Sequence, residues 1–152
     1  MCIRDRDRGF PIIKAFMSLL LSGIPDMFPA LRFGFIEAGA SWIPYALAQL
    51  ATKQRQKGLG DNRRHTSGVE LKEDLFRADR LFVTIDSVDR IEHLLPLGLE
   101  DNLMIGTDYS HSDPSANIAA LREVEEWAES GRISEAAARK MLEDNPRAFY
   151  GL

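Results

Sequence analysis

Three short and almost uninterrupted apolar segments constrain the fold of this chain more than any other feature. They are Leu31–Glu37, Leu81–Asp86 and Leu103–Thr107, and none of them alternates cleanly between apolar and polar residues. Apolar runs of this length are typical of strands buried on both faces, as in parallel sheets. We therefore predict that these segments are parallel β-strands.

Segments with the apolar spacing of amphipathic helices lie around the three predicted strands. The predicted helices are Pro11–Leu21, Trp42–Leu50, Val69–Phe76, Val88–Leu95, Asn117–Ser130 and Glu135–Asp144. The polar, glycine-containing segment Lys53–Gly68 is predicted to be irregular. Because strands alternate with helices, the chain is predicted to have an α/β fold built from βαβ units.

Local signals predict where several helices begin and end. Ser87 and Ser134 are predicted N-caps, because their hydroxyl oxygens can accept hydrogen bonds from unpaired backbone N–H groups. Gly23 and Gly131 are predicted helix stops. Asn145-Pro146 is predicted to terminate the last helix, because the residue before a proline disfavours helical backbone.

Three parallel strands form a poor free-standing sheet, because both edges would be exposed and Leu31–Glu37 and Leu81–Asp86 are too apolar for open edges. We therefore predict that residues 9–152 are the C-terminal portion of a larger α/β domain. A (β/α)8 barrel, about 250 residues in its usual form, is the first interpretation. A doubly wound sheet is the second, and a strand order with Leu81–Asp86 at an edge would favour it. Residues 1–8, MCIRDRDR, are predicted to be a non-native or disordered tail.

Composition and charge exclude several classes of protein. A formal net charge of −4 argues against a dedicated nucleic-acid binder. The single cysteine, Cys2, excludes an internal disulfide framework and a Cys-rich zinc module. No apolar run is long enough to span a bilayer, and the segment before Ser22 lacks a signal-peptide cleavage pattern. We therefore expect a cytoplasmic protein with no nucleic-acid or membrane partner.

A carboxylate stands at the carboxyl end of each predicted strand: Glu37, Asp86 and Asp108. The carboxyl ends of parallel strands meet at one edge of the sheet, where active sites collect. Clustered carboxylates raise one another's pKa unless a cation or a proton lies between them, so a divalent metal site is one physical solution. For Asp86, the start of the following helix is the simpler interpretation.

Asp108 has the strongest functional context of the three carboxylates. It lies in the segment GTDYSHSD, residues 106–113, which combines two carboxylates, an imidazole and several hydroxyls just after a strand. Such a cluster can bind a metal, orient a water molecule and exchange protons. Asp113 and Ser115 are interpreted as caps of the next helix, and Asp108 as a functional residue.

Three segments together resemble the end of the amidohydrolase-related family, metal-dependent barrel enzymes that are relatives of the aminocarboxymuconate semialdehyde decarboxylase group. They are FPALRFGFIEAGASWIPY at 28–45, NLMIGTDYSHSD at 102–113 and DNPRAFYGL at 144–152. The likeness runs from about Phe10 to Leu152. It implies that the three strands are the sixth, seventh and eighth of a (β/α)8 barrel.

The resemblance also implies a metal site. In this family a His-x-His pair after the first strand, a histidine on the fifth strand and an aspartate ending the eighth strand surround a divalent metal, and zinc is the metal we expect in the intact protein. Asp108 matches that aspartate, which contacts the metal or its water and acts as a base. Many relatives have a histidine where this sequence has Glu37, which leaves open a different set of ligands, a different proton-transfer group or a lost activity.

The resemblance gives the remaining site residues their expected roles. His111 follows the aspartate as in many relatives and is expected to be catalytic, beside the metal ligands or facing the substrate. Glu37, Trp42 and Tyr109 are expected to lie around the ligands or against the substrate.

The implied function is that of a metal-dependent hydrolase acting on a small organic substrate. A metal-dependent decarboxylase, a carbon–carbon lyase of the same superfamily, is the alternative, and a non-catalytic truncated α/β binding domain is another. Because the first five strands and their histidines have no counterpart here, the chain alone is expected to be inactive. Its expected partners are the missing N-terminal half of the barrel or a second copy docked at the open edge Leu31–Glu37.

Overall fold

The computed structural model of the chain describes residues 9–56, 72–110 and 116–152. Within them lies one three-stranded sheet of β1 (Phe33–Phe35), β2 (Leu81–Ile85) and β3 (Leu103–Ile105). Both neighbouring pairs are parallel, as the sequence predicts. The strand order is β1-β2-β3, so β2 lies in the middle of the sheet. This is the order of consecutive barrel strands, and β2 does not take the edge position that would have favoured the doubly wound alternative.

The strands are shorter than predicted, most clearly β1. Leu31 precedes β1 and does not pair with another strand, because its carbonyl oxygen accepts a hydrogen bond of 2.7 Å from Nε of Arg80. At the other end, Glu37 adopts a left-handed backbone with φ of 61°, which cannot continue a strand. The register places Gly34 opposite Phe82 and therefore aligns the carboxyl ends of the strands.

Eight helical segments, together with one 3-10 turn and one π turn, accompany the sheet in the described part of the chain. They are α1 (Gly9–Leu21), α2 (Ile24–Met27), α3 (Ile43–Gln56), α4 (Leu75–Ala78), α5 (Ile91–Leu94), the 3-10 turn Leu95–Leu97, α6 (Ala120–Glu129), α7 (Glu135–Arg139), the π turn Lys140–Asp144 and α8 (Asn145–Tyr150). Gly23 and Gly131 have positive φ, which fits their predicted role as helix stops.

One face of the sheet packs against helices and forms the main core. Alternate residues of β2, namely Leu81, Val83 and Ile85, point into this core, because successive side chains of a strand point to opposite faces. The core is centred on Phe16 of α1, whose ring lies 5.5 Å from Phe35 and 5.6 Å from Phe76, between ring centroids. The apolar face predicted for the first helix is therefore the face that α1 buries.

The opposite face of the sheet is covered near the strand starts by the last helix. The ring of Phe149 from α8 lies 5.4 Å from the ring of Phe82, between centroids. Gly34 lies so close beneath Phe149 that an added Cβ would come within 2.6 Å of its Cζ. Gly34 thus permits a close approach of α8 to the sheet that a larger residue would prevent.

Two of the predicted helices differ from the observed ones in the middle of the chain. Helix α3 continues to Gln56, so the prediction that the chain becomes irregular at Lys53 is wrong for Lys53–Gln56. The rest of that irregular prediction, residues 57–68, and the first residues of predicted helix Val69–Phe76 lie outside the described residues. The helix there is α4, which buries Leu75 and Phe76.

The helix predicted to begin at Val88 begins instead at Ile91. Ser87 does not cap it, because residues 86–89 form a turn in which the N–H of Asp89 donates to the carbonyl oxygen of Asp86, at 3.0 Å. Val88 is 83% exposed, so it does not contribute to the apolar face that the spacing suggested.

The prediction that Asn145-Pro146 ends the last helix is also wrong. Ser134 caps α7 as expected, with its Oγ accepting from the N–H of Ala137 at 3.0 Å. The chain then widens into the π turn and continues as α8, with Pro146 in its first turn, where the absent N–H is not required. Nδ2 of the buried Asn145 donates to the carbonyl oxygens of Glu100 and Leu103, at 2.8 and 2.7 Å, which fixes the start of α8 against β3.

Among the described residues, no helix has both the length and the apolar character needed to cross a membrane.

The close contact at Gly34 leads to a stability prediction. Gly34→Ala forces Phe149 to move and should lower the free energy of unfolding by about 1–3 kcal/mol, the usual cost of overpacking. Urea unfolding followed by circular dichroism measures this. Gly106→Ala is the control, because its Cβ would meet Thr84 Cβ at an ordinary 3.4 Å. Equal losses in the two variants would contradict this account of Gly34.

A second prediction concerns how the free energy of unfolding changes at acidic pH. The hydrogen bond from Arg132, at 2.7 Å, lowers the pKa of Glu92 from 4.5 to about 2. The resulting contribution to stability is fully present above pH 4.5, the value in the unfolded chain, and is lost as pH falls towards 2. Glu92→Gln should therefore flatten the pH dependence of the urea midpoint between those values. An unchanged slope would show that the pair contributes nothing.

Candidate active site at the carboxyl ends of the strands

The carboxyl ends of the three strands open into a cleft of about 530 Å³. Glu37 after β1, Asp86 after β2 and Asp108 after β3 all line this cleft, and we call these three residues the acidic rim. Their common position follows from parallel pairing, since each carboxylate stands just beyond the end of a strand. The buried Thr84 lines the cleft between them, on the central strand.

Glu37 is held in an unfavourable backbone conformation. Its φ is 61°, a region that costs a residue with a Cβ about 1–2 kcal/mol. Its N–H donates to Oγ1 of Thr84 at 3.0 Å, which anchors the end of β1 to the central strand. The side chain of Glu37 is exposed at the cleft.

Asp108 is held in a similar conformation after β3. Its φ is 48°, Ser110 follows with φ of 76°, and Asp108 is half-buried. The loop returns towards the sheet at Asn117, whose N–H donates to the carbonyl oxygen of Thr107 at 2.9 Å. Strained backbone of this kind gathers at functional sites, where the surrounding structure imposes it.

Asp86 does not start a helix, in contrast to the simpler sequence interpretation. Helix α5 begins only at Ile91, and the N–H of Asp86 donates to Oδ2 of Asp89 at 2.9 Å. The carboxylate of Asp86 lies over Gly39, with Oδ2 3.2 Å from the position a Cβ would take there. Asp86 is exposed and belongs to the cleft lining.

Two of the residues expected near the substrate, Trp42 and Tyr109, do not line this cleft. Trp42 is buried in the helix-side core, with its ring centroid 5.1 Å from that of Phe16, so it does not line the cleft. Its Nε1 donates to the carbonyl oxygen of Gly39 at 2.8 Å, which gives Trp42 a structural role in the loop after β1. Tyr109 is 74% exposed and is not part of the cleft lining.

His111, expected to be catalytic, lies outside the described residues, as do the expected helix caps Asp113 and Ser115.

The sequence pattern did not predict a role for Asp89, a buried carboxylate near the cleft that accepts four hydrogen bonds. It is only 3% exposed, and its oxygens accept from the backbone of both the first and the second of the loops that follow the strands. Its local signal is weak, because an aspartate in a turn is usually a surface residue. Its partners Ala40 and Ser41 lie 49 and 48 residues earlier, a juxtaposition that only the fold creates.

The described residues do not form a metal centre by themselves. Within residues 9–56, 72–110 and 116–152, no group of three His, Cys, Asp or Glu side chains is arranged to hold a metal ion. The acidic rim offers oxygen donors of the kind that divalent cations accept.

Comparison with known proteins gives a family and a fold. A sequence model of the amidohydrolase family, with the description "Amidohydrolase", matches residues 11–152. Among solved structures, this chain is similar to an amidohydrolase from Mycobacterium avium subsp. paratuberculosis K-10, with 21% identity and a TM-score of 0.65. That match covers 93% of this chain and 34% of the other, so this chain spans about a third of that protein's length. No curated protein matches the chain.

The structural similarity confirms the predicted fold class. The three parallel strands, in consecutive order with their helices, correspond to part of an amidohydrolase barrel.

The strain at Glu37 leads to a prediction that separates the effect of the backbone conformation on stability from the effect of the carboxylate. Glu37→Gly relieves the left-handed conformation and should raise the free energy of unfolding by about 1 kcal/mol over Glu37→Ala, which removes the same carboxylate but keeps the strain. Chemical unfolding of both variants measures the difference. If the two are equally stable, the strain at this position is not real.

Proposed function

Because the chain belongs to the amidohydrolase family, we propose that it is the closing part of a metal-dependent hydrolase that acts on a small organic substrate. Members of this superfamily are generally metal-dependent. In this proposal β1, β2 and β3 are the sixth, seventh and eighth strands of a (β/α)8 barrel. The cleft at their carboxyl ends is then one side of the active site.

The observation that carries the proposal is the position of Asp108. It lies three residues after the end of β3, lines the cleft, is half-buried and has a left-handed backbone. A carboxylate held in this way can accept a proton from an attacking water molecule, which is the task of a general base. We assign that role to Asp108 and propose that it also contacts the metal, zinc being the expected ion.

The other members of the acidic rim receive supporting roles. Glu37 is exposed at the same cleft, with its backbone tied to Thr84, so its carboxylate is positioned to face a substrate or exchange a proton. His111 is retained as a further catalytic candidate. The expected roles of Trp42 and Tyr109 stay predictions, and neither residue lines the described cleft.

We further propose that the 152-residue chain alone is not an active enzyme. The described residues include no group of three metal-binding side chains, so the remaining ligands would come from a further part of the barrel. The match to about a third of a solved amidohydrolase supports this. The missing portion of the barrel is therefore the first partner to test, and a second copy is the next.

Decarboxylation remains the alternative chemistry for the same site. Both reactions would use the acidic rim, and they differ in the substrate bond that is broken. A decarboxylase would release CO₂ from a carboxylate substrate and protonate the carbanion left behind, whereas a hydrolase would consume water.

The test uses the reading frame extended upstream to a whole barrel, purified with zinc. Its turnover is measured on p-nitrophenyl esters and on a panel of small amides, with CO₂ release followed for small carboxylic acids. Asp108→Asn should lower kcat by about 10²–10⁴-fold, the usual contribution of a general base, with the fold retained. Asp74→Asn, an exposed aspartate before α4, is the matched control and should stay close to the unchanged protein.

Full turnover by Asp108→Asn would overturn the assignment of the base. Tight stoichiometric zinc binding by the 152-residue chain alone would overturn the proposal that the other ligands lie elsewhere.

A further inference from the structure

A single buried carboxylate joins the loops that follow β1 and β2. Oδ2 of Asp89 accepts from the N–H of Ala40 at 2.8 Å and from the N–H of Asp86 at 2.9 Å. Oδ1 accepts from the N–H of Ser41 at 3.0 Å and from the Ser41 hydroxyl. Because this carboxylate is only 3% exposed, its oxygens depend on protein donors for the hydrogen bonds that water would otherwise supply. Asp89 therefore ties together two loops that are distant in sequence.

Gly39 brings the first of these loops against the carboxylates of the second. Its φ is 57°, and an added Cβ would lie 3.1 Å from Oδ2 of Asp89 and 3.2 Å from Oδ2 of Asp86. Glycine meets both demands, a left-handed backbone and the absence of a side chain. The loop after β1 is consequently seated directly on the turn that carries Asp86 and Asp89.

Two hydrogen bonds hold the backbone on either side of the Glu37 side chain, one to the central strand and one to the loop that follows it. We call these two hydrogen bonds the anchors. Thr84 accepts the N–H of Glu37 at 3.0 Å, and three residues later Asp89 accepts the N–H of Ala40. Between the two anchors Glu37 has a φ of 61°, which an unsupported chain would leave. The anchors therefore decide where the Glu37 carboxylate stands.

We propose that Asp89 is a positioning residue that holds Glu37 and Asp86 in a fixed relation at the cleft. Asp89 does not line the cleft, so it acts through the two loops rather than on a substrate. A preset arrangement of charged groups avoids the cost of reorganising them when a ligand binds. The use of these groups in catalysis rests on the proposed function, but the coupling of the two loops rests on the contacts alone.

Amide hydrogen exchange by NMR on the 152-residue chain tests the coupling. In Asp89→Asn, an amide replaces one acceptor oxygen, so protection of the N–H groups of Ala40, Ser41 and Asp86 should fall by about tenfold or more.

The Glu37 N–H, which donates to Thr84 and not to Asp89, should lose protection too. The N–H of Val83, bonded to Asn102 within the sheet, should keep its protection and report an intact fold.

Thr84→Val supplies the reciprocal comparison. It removes the acceptor of the Glu37 N–H, so Glu37 should lose protection while Ala40, Ser41 and Asp86 keep theirs. If Asp89→Asn leaves Glu37 protected, or loosens one loop and not the other, Asp89 is a local structural residue and the proposal fails.

A second pair of variants keeps the test valid if Asp89→Asn does not fold. Gly39→Ala and Gly98→Ala both place a side chain on a left-handed backbone, but only the first meets other atoms within 4 Å. Gly39→Ala should reduce protection at Ser41 and Asp86, and Gly98→Ala should not. Equal exchange at those amides in the two variants would overturn the proposal.

Activity supplies a separate readout in the extended, zinc-loaded protein. Asp89→Asn should lower kcat more than it changes KM, and Gly98→Ala should leave both unchanged. If exchange shows the coupling but the extended protein has no turnover, the proposed function fails and the positioning role of Asp89 stands. If turnover is present and Asp89→Asn leaves it unaltered, the positioning role fails and the proposed function stands.

Discussion

Parallel pairing through the central strand β2 is the constraint on which the rest of this structure depends. Both neighbours pair with β2 in the same direction, so three loops that are far apart in sequence leave the sheet at one edge. All five residues of β2 are buried, since helices cover one face and the start of the other face lies under Phe149. The acidic rim is a direct consequence, because each of its carboxylates follows a strand end.

The two faces of the sheet have different tasks. The helix-side face, with Phe16 and its aromatic neighbours, supplies most of the buried apolar contact. The other face carries Gly34, Phe82 and Thr84 and leads from the Phe149 contact up to the cleft. Because side chains alternate along β2, the residues that pack in the core and the residue that lines the cleft point to opposite faces of the same strand. A barrel divides its outer and inner layers in the same manner.

The site is supported by polar contacts beneath the residues that would do the chemistry. Thr84 and Asp89 do not supply the exposed carboxylates, yet they hold the backbone that carries Glu37 and Asp86. Glu37 and Asp108 both have a left-handed backbone, and such a conformation persists only when the surrounding structure enforces it. In this respect the cleft has the features of a preorganised site.

The sequence by itself predicted the three strands, their parallel direction, most helix positions and the common edge of Glu37, Asp86 and Asp108, because apolar runs and strand ends are local signals. It also carried the family likeness, through motifs around Glu37 and Asp108. Only the tertiary structure decided that Trp42 belongs to the core, that the chain continues as a helix through Pro146, and that Asp89 joins two loops. These depend on groups that meet across tens of residues: the ring of Phe16, the carbonyl oxygens that bind Asn145, and the amides of Ala40 and Ser41. A local sequence pattern cannot predict these long-range contacts, because the burial and the hydrogen bonds that stabilise them form only once the sheet is assembled.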